Sequence, residues 1–235
     1  MLWQESTDSD RFTVPDTVVD MSFRFHCGSA SNAIPVDHGV LLRDQISHLL
    51  PWITQEAGVA IHRIYGAATG NGWVRPENGD GMTMEVSKRT RLVIRLPKHR
   101  LDDARLLEQR AFRLGDQQIE VGTANLKPLV ATRTLFCRSL ISDEVNEEEA
   151  FTQQLVESLR ALDIPISKLL CGKRHQIQTD VGLVFARSVM LAELSLEDAV
   201  KLQQEGLGEH QLLGCGIFLP HKDIAAVGSS QEESY

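Results

Sequence analysis

The sequence predicts an α+β protein built from two tandem ferredoxin-like units, each in the order βαββαβ. Three observations carry that expectation. Strand-like and helix-like segments follow that order between residues 18 and 125, and the order recurs between residues 130 and 222. The 235-residue chain also gives each copy about the 100 residues that a small domain needs. The ends, residues 1–17 and 223–235, show no hydrophobic period and are read as flexible.

In the first unit, Val18 to Phe25 alternates and is β-prone, a first strand. Asp37 is the expected N-cap of a helix in which Val40, Leu41, Ile46, Leu49, Leu50, Trp52 and Ile53 fall at helical spacing. Val59 to Tyr65 reads as a second strand, and Gly66 to Gly81 as an irregular hairpin rich in Gly, Asn and Pro. Thr90 to Leu96 is a third strand closed by Pro97, Leu101 to Phe112 an amphipathic helix, and Gln117 to Val121 a fourth strand after the turn at Gly115 and Asp116.

The second unit repeats the order. Thr134 to Ile141 is a strand, Asn146 to Leu162 a helix, and Leu169 to Gln178 with Val181 to Leu191 a strand pair. Ser195, with Asp198 three residues on, opens a helix to Gln204, and Gly216 to Pro220 is the last strand. Between them lies Gly206-Leu-Gly208, five residues, then Gly214-Cys-Gly216. Four glycines in eleven positions imply a tight main chain that another backbone can approach, and such a loop suits a phosphate backbone. It lacks the Lys-Ser/Thr of a P-loop, and it follows a helix where a dinucleotide fingerprint would follow a strand.

Composition narrows the function. With 42% hydrophobic and 24% charged residues the chain is of ordinary globular make-up. It has no apolar run of about 20 residues and no signal-like start, so a cytoplasmic protein without a membrane partner is expected. Cys27, Cys137, Cys171 and Cys215 are scattered, without the C-x-x-C spacing of zinc or redox sites, and read as buried free thiols. No metal or cofactor is called for.

The net charge of −8 runs against nucleic-acid binding, yet the charge is segregated. Between Glu85 and Arg113 nine Lys or Arg, Arg89 and Arg91 among them, face four acids. Phosphates respond to such local potential rather than to the mean. Lys173, Arg174 and His175 form a second basic cluster at a strand start.

The glycine loop, with Ile34-Pro-Val-Asp-His-Gly39 leading into a helix, Gly58 to Gly66 around Ile-His-Arg-Ile, Cys171-Gly-Lys-Arg174, and Val181-Gly-Leu183, resembles in order the landmarks of the repeat-associated RNA-binding superfamily of CRISPR systems. Specifically, residues 18 to 222 resemble the RNA-processing endoribonuclease of type I systems. The resemblance implies metal-independent cleavage of CRISPR precursor RNA within its repeats by 2′-hydroxyl attack, leaving a 2′,3′-cyclic phosphate and a 5′-hydroxyl. It also implies that the protein stays with the guide RNA and the other subunits of an effector complex. The alternative is a non-catalytic RNA-binding subunit on the same fold. RNA contacts are expected from Lys173, Arg174, His175, Arg89, Arg91 and the loop glycines Gly206, Gly208, Gly214 and Gly216.

Such a reaction needs a base for the ribose 2′-hydroxyl, and histidine, with an ordinary pKa of about 6.5, suits the task. The resemblance implies a catalytic histidine at the turn before the first helix, where His38 stands. His62, in Ala60 to Tyr65, is the other candidate, and the choice between them is open. His48 reads as a surface or core-edge residue, and His210 lies in the glycine loop. Several relatives place a tyrosine beside the histidine. Here Tyr65 can serve only if the second strand folds against the helix turn.

Overall fold

The computed structural model describes residues 12–28, 32–66, 81–142 and 147–221. Of the ends expected to be flexible, residues 1–11 and 223–235 lie outside those residues, as does most of the Gly66 to Gly81 hairpin. Two antiparallel sheets carry the fold. β1 (Val18–Cys27), β3 (Ala60–Ile61), β5 (Arg91–Pro97), β6 (Ala111–Leu114) and β7 (Gln117–Pro128) form the first, in the order β3-β5-β1-β7-β6. A small pair, β2 (Ala33–Pro35) with β4 (Thr83–Glu85), stands beside it. β8 (Leu135–Ile141), β9 (Lys168–Thr179), β10 (Gly182–Ala192) and β11 (Phe218–Pro220) form the second sheet, in the order β11-β8-β10-β9.

The orders match when β1, β3, β5 and β7 are set against β8, β9, β10 and β11, so the duplicated α+β, ferredoxin-like order seen in the sequence is the order of the fold. The helices differ more. α1 (Gly39–Leu49) buries Leu42 and Ile46 against the first core, while α3 (Glu148–Ala161) buries Phe151, Leu155 and Leu159, and α4 (Leu196–Glu205) Ala199 and Leu202, against the second. The i, i+4 spacing of those residues in α1 and α3, and the i, i+3 spacing in α4, is what makes each an amphipathic helix.

The expected helix from Leu101 to Phe112 is cut short. α2 covers Leu101–Ala104 and passes into a 3₁₀ turn, Arg105–Leu107. Phe112 then belongs to β6, whose alternation buries Phe112 and Leu114 and exposes Ala111 and Arg113. A period of two won over a helical pattern too short to nucleate. Asp37 also precedes the cap: His38 is the N-cap residue of α1, without a side-chain cap bond. Ser195 does cap α4, accepting from the Asp198 N–H at 3.0 Å.

β1 decides how the halves meet. Met21 and Phe23 point into the first core, which leaves Asp20 and Ser22 on the other face. Opposite Asp20 stands Arg95 of β5, only 2% exposed. Its guanidinium grips Asp20 at 2.7 and 3.1 Å and donates to the Gln203 carbonyl of α4 (2.7 Å) and the Phe218 carbonyl of β11 (3.1 Å). One side chain thereby fastens the first sheet to the end of α4 and to β11. Burial pushes the Asp20 carboxyl up, but His62 and Arg95 outweigh it and hold the group well below the usual carboxylate range. Arg95→Ala leaves that carboxylate buried without its cation, so a loss of about 3–5 kcal/mol is expected in a urea titration. A midpoint equal to that of the wild type would contradict this role.

Candidate functional site

The seam that Arg95 closes is continued by the glycine loop. α4 ends at Gly206, whose N–H reaches the Leu202 carbonyl at 3.0 Å. The loop then folds on itself, the Leu207 N–H donating to the Gly216 carbonyl (3.0 Å) and the Gly216 N–H to the Ser139 carbonyl of β8 (2.8 Å). Gly216 is buried at φ +65°, and a Cβ there would lie 1.9 Å from the Leu207 oxygen. Gly214, buried at φ +83°, would place a Cβ 2.3 Å from Arg63 Cγ. Both glycines serve protein contacts, whereas Gly208 is exposed and Gly206 is half-buried beside Gln211. The sequence showed that backbones approach closely here, but not which ones.

Arg63 lies just beyond β3, between the loop and the turn before α1, and its Nη2 donates to the Val36 carbonyl at 3.4 Å. Under it sits His38. The ring is fully buried, with Nδ1 3.0 Å from the Pro35 carbonyl and Nε2 accepting the Ile64 N–H at 3.0 Å. Those two partners fix a neutral ring carrying its hydrogen on Nδ1. Burial, then the Arg63 charge, lower its pKa to about 4. His38 thus clamps the turn before α1 to the segment after β3, and this brings Tyr65 close by.

Tyr65 lies under the Arg138 guanidinium, 4.5 Å from the ring centroid, a cation–π contact between the two halves. Burial raises its phenol pKa against the pull of Arg63 and Arg138. The Cys137 and Cys215 thiols nearby are pushed by burial up to about 12 and about 11, the behaviour of inert core thiols.

His62 has different neighbours. Its Nε2 is buried 3.6 Å from Asp20 Oδ1, beside Arg95, and has no hydrogen-bond partner among the described residues. His38, which meets the Ile64 N–H, and His62, two residues before Ile64, therefore have separate partners.

The basic residues divide into two places. On β9, Lys173 is exposed, Arg174 stacks with its Cζ 3.3 Å from the Phe185 centroid, and His175 Nε2 meets Ser139 Oγ at 3.0 Å. Ser139 joins His175 to the glycine loop, since its carbonyl takes the Gly216 N–H. Arg89 and Arg91 lie apart, at the turn into β5. Arg89 is exposed, and Arg91 folds back onto the Thr90 and Lys88 carbonyls at 2.8 and 3.0 Å. Arg24, exposed, stands directly opposite Arg91 on β1. Like charges at facing positions cost stability, and an anion on that face would relieve the cost.

At the far end of the seam, Arg43 of α1 makes a two-pronged bond to Asp180, in the turn between β9 and β10, at 2.5 and 2.7 Å. Sequence reading missed Arg43, Asp180, Arg63, Arg138 and Ser139, because long-range pairing leaves no local signal. Arg95 did carry one, a charge inside the apolar run Leu92 to Leu96. Among the described residues no three His, Cys, Asp or Glu converge as a metal set, and no helix is long and apolar enough to cross a membrane.

The fold, two ferredoxin-like sheets with a glycine-rich loop at their seam, is shared by solved structures. A Cas6-related protein of Pyrococcus furiosus superposes with a TM-score of 0.59 at 15% identity, covering 86% of this chain and 97% of that one. A structure described as an RAMP protein binding different RNA substrates gives 0.61 at 15%, over 86% and 98%. Thermus thermophilus Cse3, bound to an RNA representing a pre-cleavage complex, gives 0.50 at 12%, over 86% and 98%. The Cas6 Crispr family model matches residues 19–223, and the chain belongs to that family. The CRISPR-associated endonuclease Cas6 of Myxococcus xanthus (strain DK1622) is 24% identical over 198 residues, 83% of this chain and 80% of that protein.

The His38 clamp gives a pH prediction. The folded ring has a pKa of about 4 against 6.5 when free, so its contribution is complete above pH 6.5 and drains away as the unfolded chain takes up the proton between pH 6.5 and 4. Over that window the wild type is expected to lose about 3 kcal/mol more unfolding free energy than His38→Gln. Parallel pH–stability curves for the two proteins would contradict a neutral buried ring.

Proposed function

We propose that this chain is the endoribonuclease that cuts CRISPR precursor RNA within its repeats and keeps the product in an effector complex. The observation that carries this reading is membership of the Cas6 family along residues 19–223, in a fold whose glycine loop joins both halves. The ribose 2′-hydroxyl attacks the adjacent phosphorus, a cyclic phosphate forms, and the 5′-oxygen leaves. Lys173, Arg174, His175 and the exposed Gly208 turn bind RNA near the loop, while Arg89 and Arg91, with Arg24, bind phosphates farther along the first sheet. Arg63 and Arg138 stand ready to offset charge on the phosphorane.

The base is a histidine on this reading, with His38 and His62 the candidates from sequence. Each must first leave its present partners, the Pro35 and Ile64 backbone for His38 and the pocket beside Asp20 for His62. That observation favours the second reading, a non-catalytic RNA-binding subunit. The purified chain, given the repeat RNA of its own array, separates the two. Cleavage that persists in EDTA is expected; binding without cleavage points to the subunit reading, and cleavage only with added magnesium refutes the mechanism.

A further inference from the structure

The second sheet carries an apolar row on the face turned away from its helices. Cys171, Val189, Cys137 and Phe218 stand side by side in register and pack into the core with α3 and α4. The neighbouring positions in each strand therefore point to the opposite face. There Leu170, Met190, Phe136 and Leu219 face one another across β9, β10, β8 and β11. Leu170 is 60% exposed, and the other three are partly exposed. An antiparallel sheet with one face in water places polar residues outward, and this row breaks that rule on all four strands.

The charge of this sheet is one-sided too. Its strands contain Arg138, Lys168, Lys173, Arg174 and Arg187 and no Asp or Glu, in a chain of net charge −8. Arg187 turns to α3, 3.4 Å from Glu148, and Lys168 meets Glu193 at 2.5 Å. Arg138 and Lys173 are exposed and sit in matching bulges, where Arg138 with Ser139 in β8 and Gly172 with Lys173 in β9 each oppose Ser188 alone. A Cβ on Gly172 would stand 2.1 Å from Ser188 Oγ, so the β9 bulge needs glycine. Phe136 lies between the row and the seam: Arg138 Cζ is 5.9 Å from its ring centroid and 4.5 Å from that of Tyr65, and the exposed His221 ring lies 5.9 Å from it, tilted by 55°.

An apolar strip edged by cations, with a guanidinium and an imidazole beside its aromatic ring, matches the chemistry of an unpaired nucleotide, a flat base joined to a phosphate. A second copy of the chain fits less well, because a symmetric pairing would set this basic face against itself. We propose that this face of the second sheet is a stacking platform for an unpaired stretch of RNA, with one base on Phe136 and the adjoining phosphates on Arg138 and Lys173. The inference rests on the RNA-binding part of the reading above and holds whether or not the chain cuts. It requires the RNA to be single-stranded here, since a paired base keeps both faces stacked within its own helix.

The test pairs Phe136→Leu, which keeps the row apolar and removes the ring, with Phe136→Tyr, which keeps a ring. By fluorescence anisotropy with labelled repeat RNA, Phe136→Leu is expected to raise the dissociation constant roughly 5- to 150-fold without changing its salt slope, and Phe136→Tyr to stay within about threefold of the wild type. An abasic site moved along the RNA should weaken wild-type binding at one position and cost nothing further there in Phe136→Leu. Leu170→Glu, at a position 60% exposed and so harmless to folding, should weaken binding at least about fivefold by setting a carboxylate beside the phosphates. Wild-type affinity in Phe136→Leu or Leu170→Glu, an abasic scan with no shared position, or an equal loss for fully paired RNA overturns the proposal. So does a change in sedimentation of Phe136→Leu without RNA, which would make the row a protein interface. If the wild type binds no repeat RNA, the RNA reading falls as well; if it binds and Phe136→Leu binds equally, only the platform falls.

Discussion

The buried guanidinium of Arg95 is the constraint on which the arrangement depends. A cation 2% exposed is tolerable only with its charge met and its hydrogens placed, and Asp20 with the Gln203 and Phe218 carbonyls does both. Because those carbonyls end α4 and belong to β11, satisfying Arg95 fixes both ends of the glycine loop against the first sheet. The loop's course between them is then set by close contact, with Gly214 on Arg63 and Gly216 on Leu207.

From that seam the site follows outward. Arg63 is pinned between Gly214 and the turn before α1, and His38 ties the same turn to Ile64. These contacts place the start of α1 beside the loop, and Arg43 reaches across to Asp180. Two sheets with separate cores are thus bridged by side-chain bonds to backbone carbonyls and by an ion pair. The joint gathers cations from both halves, Arg43, Arg63 and Arg138, in a chain of net charge −8. Local potential, and not the sum, is what a polyanion meets.

Periodicity made the fold legible. Alternation in β1, β5 and β10 and the i, i+4 face of α3 are local, and the duplicated order needed only those. Where patterns were short they misled, as in the stretch from Leu101 to Phe112, where the α-helix stops at Ala104 and the last two residues, Ala111 and Phe112, belong to a strand. The site was legible as a neighbourhood and less so as chemistry. The glycine loop, the turn at His38 and the Cys171 to Arg174 strand stood out by type and spacing. Burial did not: nothing local tells that His38 is enclosed with both nitrogens spent, since the partner of its Nε2, Ile64, stands 26 residues away.

The central claim is that the 2′-hydroxyl of the RNA, and no water molecule, attacks the phosphorus. The most direct measurement is the mass of the upstream fragment left when the purified chain cuts a synthetic repeat RNA. The account predicts a 3′ end carrying a 2′,3′-cyclic phosphate, with a 5′-hydroxyl on the downstream fragment, and no cut in a substrate whose single 2′-hydroxyl at that position is replaced by hydrogen. A 3′-hydroxyl with a 5′-phosphate, or unimpaired cutting of the deoxy-substituted RNA, would contradict it.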